Sequence, residues 1–328
     1  MKPSPASTMV ETLTPIWQRV LQISSVGTDD NFFDLGGDSA LALELFHEIA
    51  LACGREFPPV MIYHAPTIAA LSALLEQPIV PPVPSLVQLK PGSKEPPVFI
   101  AHGLGGSVID FYQVVKHIET EHAIHGMQAK GIDGVEEPLD RIEDMATYAL
   151  DAVRQQQPHG PYLLIGFSLG GLVALEMAQQ LTAQGKQIGL LAMLDSYPHA
   201  SRLSRGQRAR LAMRQTWRRA ARRLDWLGVP PPFETTVETS PSPALQHFRD
   251  TSYRALERYQ PRFYPGKINF VRAAIPTDFP ADPAAVWSNL AQKFELATVP
   301  GDHIGIMTTH FESLAAAISG FLREATCK

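Results

Sequence analysis

Residues 78–97 contain seven prolines, and this segment constrains the fold more than any other part of the chain. Proline fixes φ and has no backbone N–H, so no helix can run through the segment and an extended spacer is favoured. Before it, apolar residues recur every three or four positions; after it, short apolar runs alternate with helical segments. In a chain of 328 residues, long for a single core, these patterns predict two domains, at 9–77 and 98–328, joined by a linker at 78–97.

The two predicted domains differ in class. The helical spacing of residues 9–77 predicts a small all-α four-helix bundle. Beyond the linker, apolar runs alternating with helices predict a mainly parallel sheet covered by helices on both faces. The strands are expected at residues 98–101, 162–167, 190–194, 268–273 and 294–299. Helical sequence at about 199–259 interrupts this alternation and predicts an insertion that would act as a lid.

Composition argues against several classes of function. A formal net charge of −5 argues against nucleic acid or an anionic membrane as the main partner. Cys53 and Cys327 offer neither a disulfide framework nor the spacing of metal ligands. The N-terminus lacks the apolar core of a signal peptide, and no apolar run is long enough to span a bilayer. We therefore expect a cytoplasmic protein that holds no metal.

Ser39 ends the block Asp30-Asn-Phe-Phe-Asp-Leu-Gly-Gly-Asp-Ser39 and precedes an amphipathic helical segment. A helix cap is the simple interpretation, because serine and aspartate side chains accept hydrogen bonds from free amides at helix starts. The same position suits a phosphodiester, since a helix N-terminus favours negative charge. The two glycines leave the backbone open to an approaching enzyme.

This block, followed by Tyr63-His-Ala-Pro-Thr-Ile-Ala-Ala-Leu, resembles the carrier domains of nonribosomal peptide and polyketide synthases. The resemblance implies 4'-phosphopantetheine attached covalently to Ser39 by a phosphopantetheinyl transferase. It also implies upstream synthase modules, with condensation, adenylation or ketosynthase domains, that load the thiol of this arm with an acyl or peptidyl group.

Ser168 lies in the motif Gly166-Phe-Ser168-Leu-Gly170. A leucine-rich strand segment runs into the motif and a helical segment runs out of it, as in the nucleophile elbow of the α/β-hydrolase fold. A glycine-rich structural turn is the alternative. A serine nucleophile requires a base and an orienting acid, and in this fold the acid precedes the histidine in the chain.

His303 is the predicted base, because it follows the last predicted strand, where loops gather at the carboxyl ends of parallel strands. Three other downstream histidines lie in the insertion or further into the last helical segment: His199, His247 and His310. For the acid, Asp195 and Asp278 each follow a predicted strand and both remain candidates. Asp302 adjoins the histidine and is less able to reach its ring.

The segment Leu190-Leu-Ala-Met-Leu-Asp195-Ser-Tyr-Pro resembles the thioesterase domains that terminate synthase assembly lines. This resemblance, over residues 98–198 and 262–325, implies a serine thioesterase in which Asp195 completes the triad. The oxyanion of such a reaction needs amide donors. We expect the Leu169 amide and, in the glycine-rich loop Ala101-His-Gly-Leu-Gly-Gly-Ser107, the Leu104 amide; a plain tight turn is the alternative for this loop.

Opposite charges are segregated along the chain. Residues 1–77 carry three basic and nine acidic residues, a net charge of 3 − 9 = −6, whereas residues 199–224 carry nine arginines and no acid. These are Arg202, Arg205, Arg208, Arg210, Arg214, Arg218, Arg219, Arg222 and Arg223. A solvated helix face is the simple interpretation. The functional one is a surface that receives the acidic carrier, since opposite charges speed encounter and fix orientation.

Together these features predict a carrier–thioesterase module. It would hold an acyl or peptidyl thioester on the arm at Ser39 and release it through an acyl-enzyme on Ser168, by hydrolysis or cyclisation. One alternative is an editing thioesterase that clears misloaded carriers. The other is a non-catalytic carrier scaffold in which the hydrolase fold only docks partners.

Overall fold

The computed structural model describes most of the chain. The described ranges are 9–37, 39–55, 57–63, 65–77, 84–132, 136–209, 211–213, 243–276, 280 and 282–326. Side chains are described throughout these ranges except at residues 39, 40, 243 and 244.

The N-terminal region is helical. It comprises α1 (Met9–Leu21), α2 (Ser39–Cys53), a 3-10 turn (Pro59–Tyr63) and α3 (Ile68–Leu75). Their apolar faces meet around Trp17 and Phe32, which are fully buried and pack edge to face with ring centroids 5.3 Å apart. Thr67 caps α3 by accepting a hydrogen bond from the Ala70 amide. This region therefore has an apolar core of its own.

Seven strands form one sheet in the described part of the chain. They are β1 (Leu86–Lys90), β2 (Lys94–Ala101), β3 (His122–Met127), β4 (Tyr162–Phe167), β5 (Ile188–Leu194), β6 (Tyr264–Ala273) and β7 (Ala291–Val299). Their order is β1-β3-β2-β4-β5-β6-β7; β1 pairs antiparallel with β3, and the other pairs are parallel. The sheet is thus mainly parallel, as the sequence predicts.

Two strands, β1 and β3, differ from the sequence analysis. Residues 86–97, which that analysis assigns to the linker, lie mostly in β1 and β2. β1 is an edge strand with one of its residues buried, so its sequence carries little of the apolar signal of a parallel strand. The sequence of β3, His122-Ala-Ile-His-Gly-Met, is interrupted by two histidines and a glycine. Pairing with neighbours, rather than local sequence, makes both segments strands.

Helices cover both faces of the sheet. In chain order they are α4 (Tyr112–His117), α5 (Ile142–Gln156), α6 (Leu169–Ala183), α7 (Pro243–Arg258), α8 (Ala284–Trp287), α9 (Gly305–Thr308) and α10 (Phe311–Thr326). Alternate strand residues point to opposite faces. In β2, Phe99 packs in the core cluster with α5 and α6, whereas Val98 and Ile100 pack in the cluster with α4 and α10.

The predicted lid lies between β5 and β6, and it is described in part. A 3-10 turn (Ala200–Arg202), helical residues 205–209 and 211–213, and α7 fall within it. Arg202, Arg205 and Arg208 are exposed. The other six arginines of the basic run lie outside the described residues.

In the described part of the chain, the helical region packs against the segment of the sheet region around the start of α4. Ile109, just before α4, belongs to the core cluster of the helical region, and Tyr112, the first residue of α4, packs against that cluster. The phenol of Tyr63 donates a hydrogen bond of 2.8 Å to the Ile109 carbonyl. The two regions are therefore in direct contact.

Candidate active site

Ser168 stands at a sharp turn between β4 and α6. Its backbone lies at φ 55°, ψ −119°, a region that L-residues rarely adopt. The turn depends on glycines, because a Cβ at Gly166 would collide with the Gly170 carbonyl, and one at Gly170 with the carbonyls of Ala101 and His102. The strand, strained serine and helix form the local geometry of a nucleophile elbow.

A hydrogen-bonded chain of three side chains leads away from this turn. His303 Nε2 lies 3.1 Å from Ser168 Oγ, and His303 Nδ1 lies 2.8 Å from Asp195 Oδ2. The Ser168 and His303 positions are 135 residues apart in sequence, and those of Asp195 and His303 are 108 apart. The fold brings together the three residues that the sequence analysis selects.

Asp195 is held from several sides. It is 4 % exposed, follows β5 directly and has a positive φ of 44°. Its amide donates to the Val271 carbonyl at 2.7 Å, and its Oδ1 accepts from the Ala273 amide at 3.2 Å. With Oδ1 bound to the backbone, Oδ2 is left to orient His303.

Three of the rival residues, Asp302, His199 and His247, have other hydrogen-bond partners. Asp278 lies outside the described residues. Asp302 Oδ1 accepts from the Gly305 amide at 2.8 Å, at the start of α9. Two of the rival histidines have other partners: His199 Nδ1 lies 2.9 Å from the Ser201 hydroxyl, and His247 Nε2 lies 3.1 Å from Glu137.

The two loops expected to supply oxyanion donors are in contact. Leu169 is the first residue of α6, and the first amides of a helix have no partner within the helix. The close approach of Gly170 to the carbonyls of Ala101 and His102 places this helix start against the loop that contains Leu104. The macrodipole of α6 adds positive potential at the same point.

Two aromatic residues near the site were not singled out by the sequence analysis. Phe167 stacks on the His303 ring, with centroids 4.7 Å apart and planes 22° from parallel. Phe111 packs edge-on against Phe167, with ring centroids 6.5 Å apart. An aromatic residue directly before the serine of the glycine motif was the available signal.

His102, in the glycine-rich loop, is buried, and its Nδ1 lies 2.7 Å from the Gly103 carbonyl. Burial lowers the pKa of His102, and the hydrogen bond to Gly103 opposes part of that shift. The ring packs beside Phe248, with 6.4 Å between centroids.

Comparison with protein families follows the same division of the chain. A family model described as a thioesterase domain matches residues 96–322, more than half of the chain, and one described as a phosphopantetheine attachment site matches residues 11–75. The chain belongs to the thioesterase domain family. The two matches in this order make it a carrier–thioesterase didomain, which confirms the predicted family and fold class.

Curated relatives of this didomain are large synthases. A dimodular nonribosomal peptide synthase of Bacillus subtilis (strain 168) is 39% identical over 196 residues, which cover 60% of this chain and 8% of that protein. An indigoidine synthase of Dickeya dadantii (strain 3937) is 35% identical over 191 residues, covering 58% of this chain and 13% of that protein. The chain thus spans a small fraction of the length of these relatives.

Solved structures show the same fold. A four-domain nonribosomal peptide synthetase, in its holo form with AMP and glycine, superposes with a TM-score of 0.61 at 22% identity, covering 99% of this chain and 27% of that one. The NocB thioesterase domain, in a covalent complex with a fluorophosphonate nocardicin G analog, gives a TM-score of 0.51 at 26% identity, covering 70% of this chain and 95% of that one.

The residues around the predicted attachment point suit a phosphopantetheine arm. The thioesterase didomain has Ser39 as the first residue of α2, where free helix amides favour a phosphodiester. Gly36, three residues earlier, has a positive φ of 96°, and a Cβ there would meet nothing within 4 Å. The backbone before Ser39 is therefore open on one side.

Among the residues that the structure describes, no group of three or more His, Cys, Asp or Glu side chains could hold a metal ion. In the same ranges, no helix combines the length and apolar character needed to cross a membrane.

Proposed function

We propose that this didomain carries an acyl or peptidyl group on a 4'-phosphopantetheine arm at Ser39 and releases it through an acyl-enzyme on Ser168. The observation that carries the proposal is the hydrogen-bonded chain Ser168–His303–Asp195 at 3.1 and 2.8 Å. Such a chain supplies what a serine hydroxyl lacks at neutral pH, a base within hydrogen-bond reach and an acid that orients the base.

In the first half-reaction, His303 Nε2 takes the proton of Ser168 Oγ as this oxygen attacks the thioester carbonyl carbon. The tetrahedral intermediate places its negative oxygen at the Leu169 and Leu104 amides, which are the proposed donors. As the C–S bond breaks, His303 gives the proton to the departing thiolate. The arm, when bound, supplies a thioester with a good leaving group; Asp195 stabilises the charged form of His303 while it holds the proton.

In the second half-reaction, His303 takes a proton from water or from a nucleophile within the acyl chain, and this group attacks the ester on Ser168. Collapse of the second intermediate breaks the C–O bond, and His303 returns the proton to Ser168 Oγ. Water gives a free acid and an internal nucleophile gives a cyclic product. Product mass distinguishes the two, because the cyclic product is lighter by one water.

The test loads the full chain with an acyl-pantetheine arm and follows the intact mass of the protein over time. Ser168→Ala should leave the thioester on Ser39 and lower the release rate at least ~1000-fold. Ser288→Ala is the matched control, because Ser288 is an exposed serine whose hydroxyl bonds to the Ala284 carbonyl on the protein surface. It should release at the wild-type rate.

A fluorophosphonate probe provides an independent measurement, since it reacts with activated serine hydroxyls. It should label the wild-type chain and the Ser288→Ala variant and leave Ser168→Ala unlabelled. Release at the native rate in Ser168→Ala, or equal labelling of that variant, would contradict the proposal. Loading that survives in Ser39→Ala would contradict the proposed attachment residue.

The partners follow from the carrier region. We propose that a phosphopantetheinyl transferase modifies this chain and that upstream condensation, adenylation or ketosynthase domains deliver its acyl group, in the cytoplasm. The relatives that contain a matching region are full synthases, which supports upstream modules as the source.

A further inference from the structure

Among the residues that the structure describes, Phe33 and Tyr63 of the carrier region contact Ile109 and Tyr112 of the thioesterase region, and we call these residues the docking cluster. Phe33 stacks on Tyr112 with ring centroids 4.1 Å apart and planes 19° from parallel. Tyr63 lies against Phe33, 4.9 Å between centroids. Ile109 is 6 % exposed and belongs to the core cluster of the carrier region. The apolar core of one region thus continues into the other.

The docking cluster also contains a directional polar contact. Tyr63 Oη donates to the Ile109 carbonyl at 2.8 Å. Burial, with the nearby negative charge of Asp110 as the second cause, raises the pKa of Tyr63 well above its usual value, so the phenol stays protonated and keeps donating. A hydrogen bond adds geometric specificity that stacked rings alone do not provide.

The same segment forms part of the catalytic site. Residues 108–112 directly follow the glycine-rich loop that is proposed to hold the oxyanion. Between the two docking residues of this segment stands Phe111, which packs edge-on against Phe167, and Phe167 stacks on His303. A carrier bound at the docking cluster therefore contacts the same segment, residues 108–112, that packs beside the catalytic site.

The predicted attachment serine is close to this contact along the chain. Ser39 is 39 − 33 = 6 residues beyond Phe33, and six residues span at most about 20 Å even when fully extended. Gly36 lies between the two, and Ser39 is the first residue of α2. When Phe33 is stacked on Tyr112, Ser39 therefore stays within about 20 Å of Phe33 along a short segment of chain.

We propose that the docking cluster is a docking surface for the chain's own carrier, which it holds with the Ser39 arm directed to Ser168 during release. This inference rests on the proposed function. It adds a contact that the thioester on the chain's own arm uses through its carrier. A free thioester of the same acyl group has no carrier and cannot use this contact. If the contact is instead a resting contact that must open before release, weakening it should speed release from the arm.

The experiment measures two rates for each full-length variant: single-turnover release of an acyl group from Ser39, and hydrolysis of the same acyl group as a small soluble thioester. Tyr112→Ala removes the stacking partner of Phe33, and Tyr63→Phe removes only the hydroxyl that bonds to Ile109. The ratio of the arm rate to the soluble rate should fall about tenfold for Tyr112→Ala and about threefold for Tyr63→Phe. Phe263→Ala, which truncates an aromatic residue that is 57% exposed, is the control and should keep the wild-type ratio.

Three outcomes would overturn the docking role. An unchanged ratio means that the contact does not direct the arm, and a raised ratio means that it is a resting contact. An equal loss of both rates means that Tyr112 supports the catalytic site itself. Failure of the proposed function has a different signature, because the wild-type chain would then hydrolyse neither substrate.

Discussion

At the scale of single residues, the site depends on how the His303 ring is held. Hydrogen bonds to Asp195 and Ser168 hold the two ring nitrogens, and both bonds are made at the ring edge. Phe167 supports the ring face by stacking on it at 4.7 Å, and Phe167 is itself 8 % exposed and packed against Phe111. We therefore propose Phe167 as a positioning residue that acts on the reaction through His303.

Phe167→Leu keeps an apolar side chain of similar bulk and removes the flat ring. We expect kcat for a soluble thioester to fall about tenfold, because a small misplacement of the base is costly, with KM changing less than twofold. The conservative variant Phe167→Tyr keeps the ring and should retain most of the rate. Steady-state kinetics provides the measurement, and a loss of thermal stability that accounts for the whole effect would reject the positioning role.

At the scale of elements, α6 also holds the end of the insertion in place. Glu176, in the middle of α6, is 2 % exposed and accepts hydrogen bonds from Tyr259 Oη at 3.0 Å and from Arg262 Nη2 at 3.0 Å. Tyr259 and Arg262 lie between α7 and β6, where the chain returns from the insertion to the sheet. A buried carboxylate is stable only when it is paired and hydrogen-bonded, so these contacts fix the end of the insertion to the helix that begins at the proposed nucleophile.

Replacing Arg262 alone should destabilise the fold more than replacing both Arg262 and Glu176. Arg262→Met leaves the Glu176 carboxylate buried with fewer donors and should lower the free energy of unfolding by about 1–2 kcal/mol, less than for a fully buried pair because Arg262 is partly solvated. The double variant Glu176→Met/Arg262→Met removes the buried charge as well and should regain part of that loss. Urea unfolding of both variants tests this, and a double variant no more stable than Arg262→Met contradicts it.

At the scale of the whole molecule, two kinds of interaction bear on how the carrier meets the thioesterase. The docking cluster acts at contact distance. The charge segregation, with a net charge of −6 over residues 1–77 and nine arginines at 199–224, acts over about a Debye length, ~8 Å at physiological salt. Electrostatic attraction of this kind speeds encounter and orients partners more than it strengthens the final contact.

If the basic run receives the carrier, reversing charges there should slow release from the arm. Arg205 and Arg208 are exposed, and Arg205→Glu/Arg208→Glu should lower the release rate roughly three- to tenfold at low salt. The difference should vanish near 1 M salt, where the Debye length is about 3 Å. Lys293→Glu, at an exposed position on β7, is the control for net charge. If the arginine variant and the wild type have identical rates and salt dependence, the basic run is a solvated helix face and does not receive the carrier.

Features encoded by neighbouring residues could be predicted from the sequence. Proline excludes a helix at the junction, the glycines around Ser168 permit only a tight turn, and strand, turn and helix there follow one another without a break. His303 was found in the same way, by its place directly after a strand in a parallel fold. These features can be predicted from sequence because backbone sterics and hydrophobic periodicity act between near neighbours in the chain.

Features that depend on residues far apart in the chain became visible in the three-dimensional structure alone. The sequence patterns left Asp195 and Asp278 both open for the acid, whereas the fold places Asp195 Oδ2 2.8 Å from His303. Strands β1 and β3 exist through pairing, the ring of Phe167 meets His303 across 136 residues, and Phe33 of the carrier meets Tyr112 of the thioesterase. These contacts arise from packing in three dimensions, and packing leaves no periodic trace in the sequence from which a partner could be read.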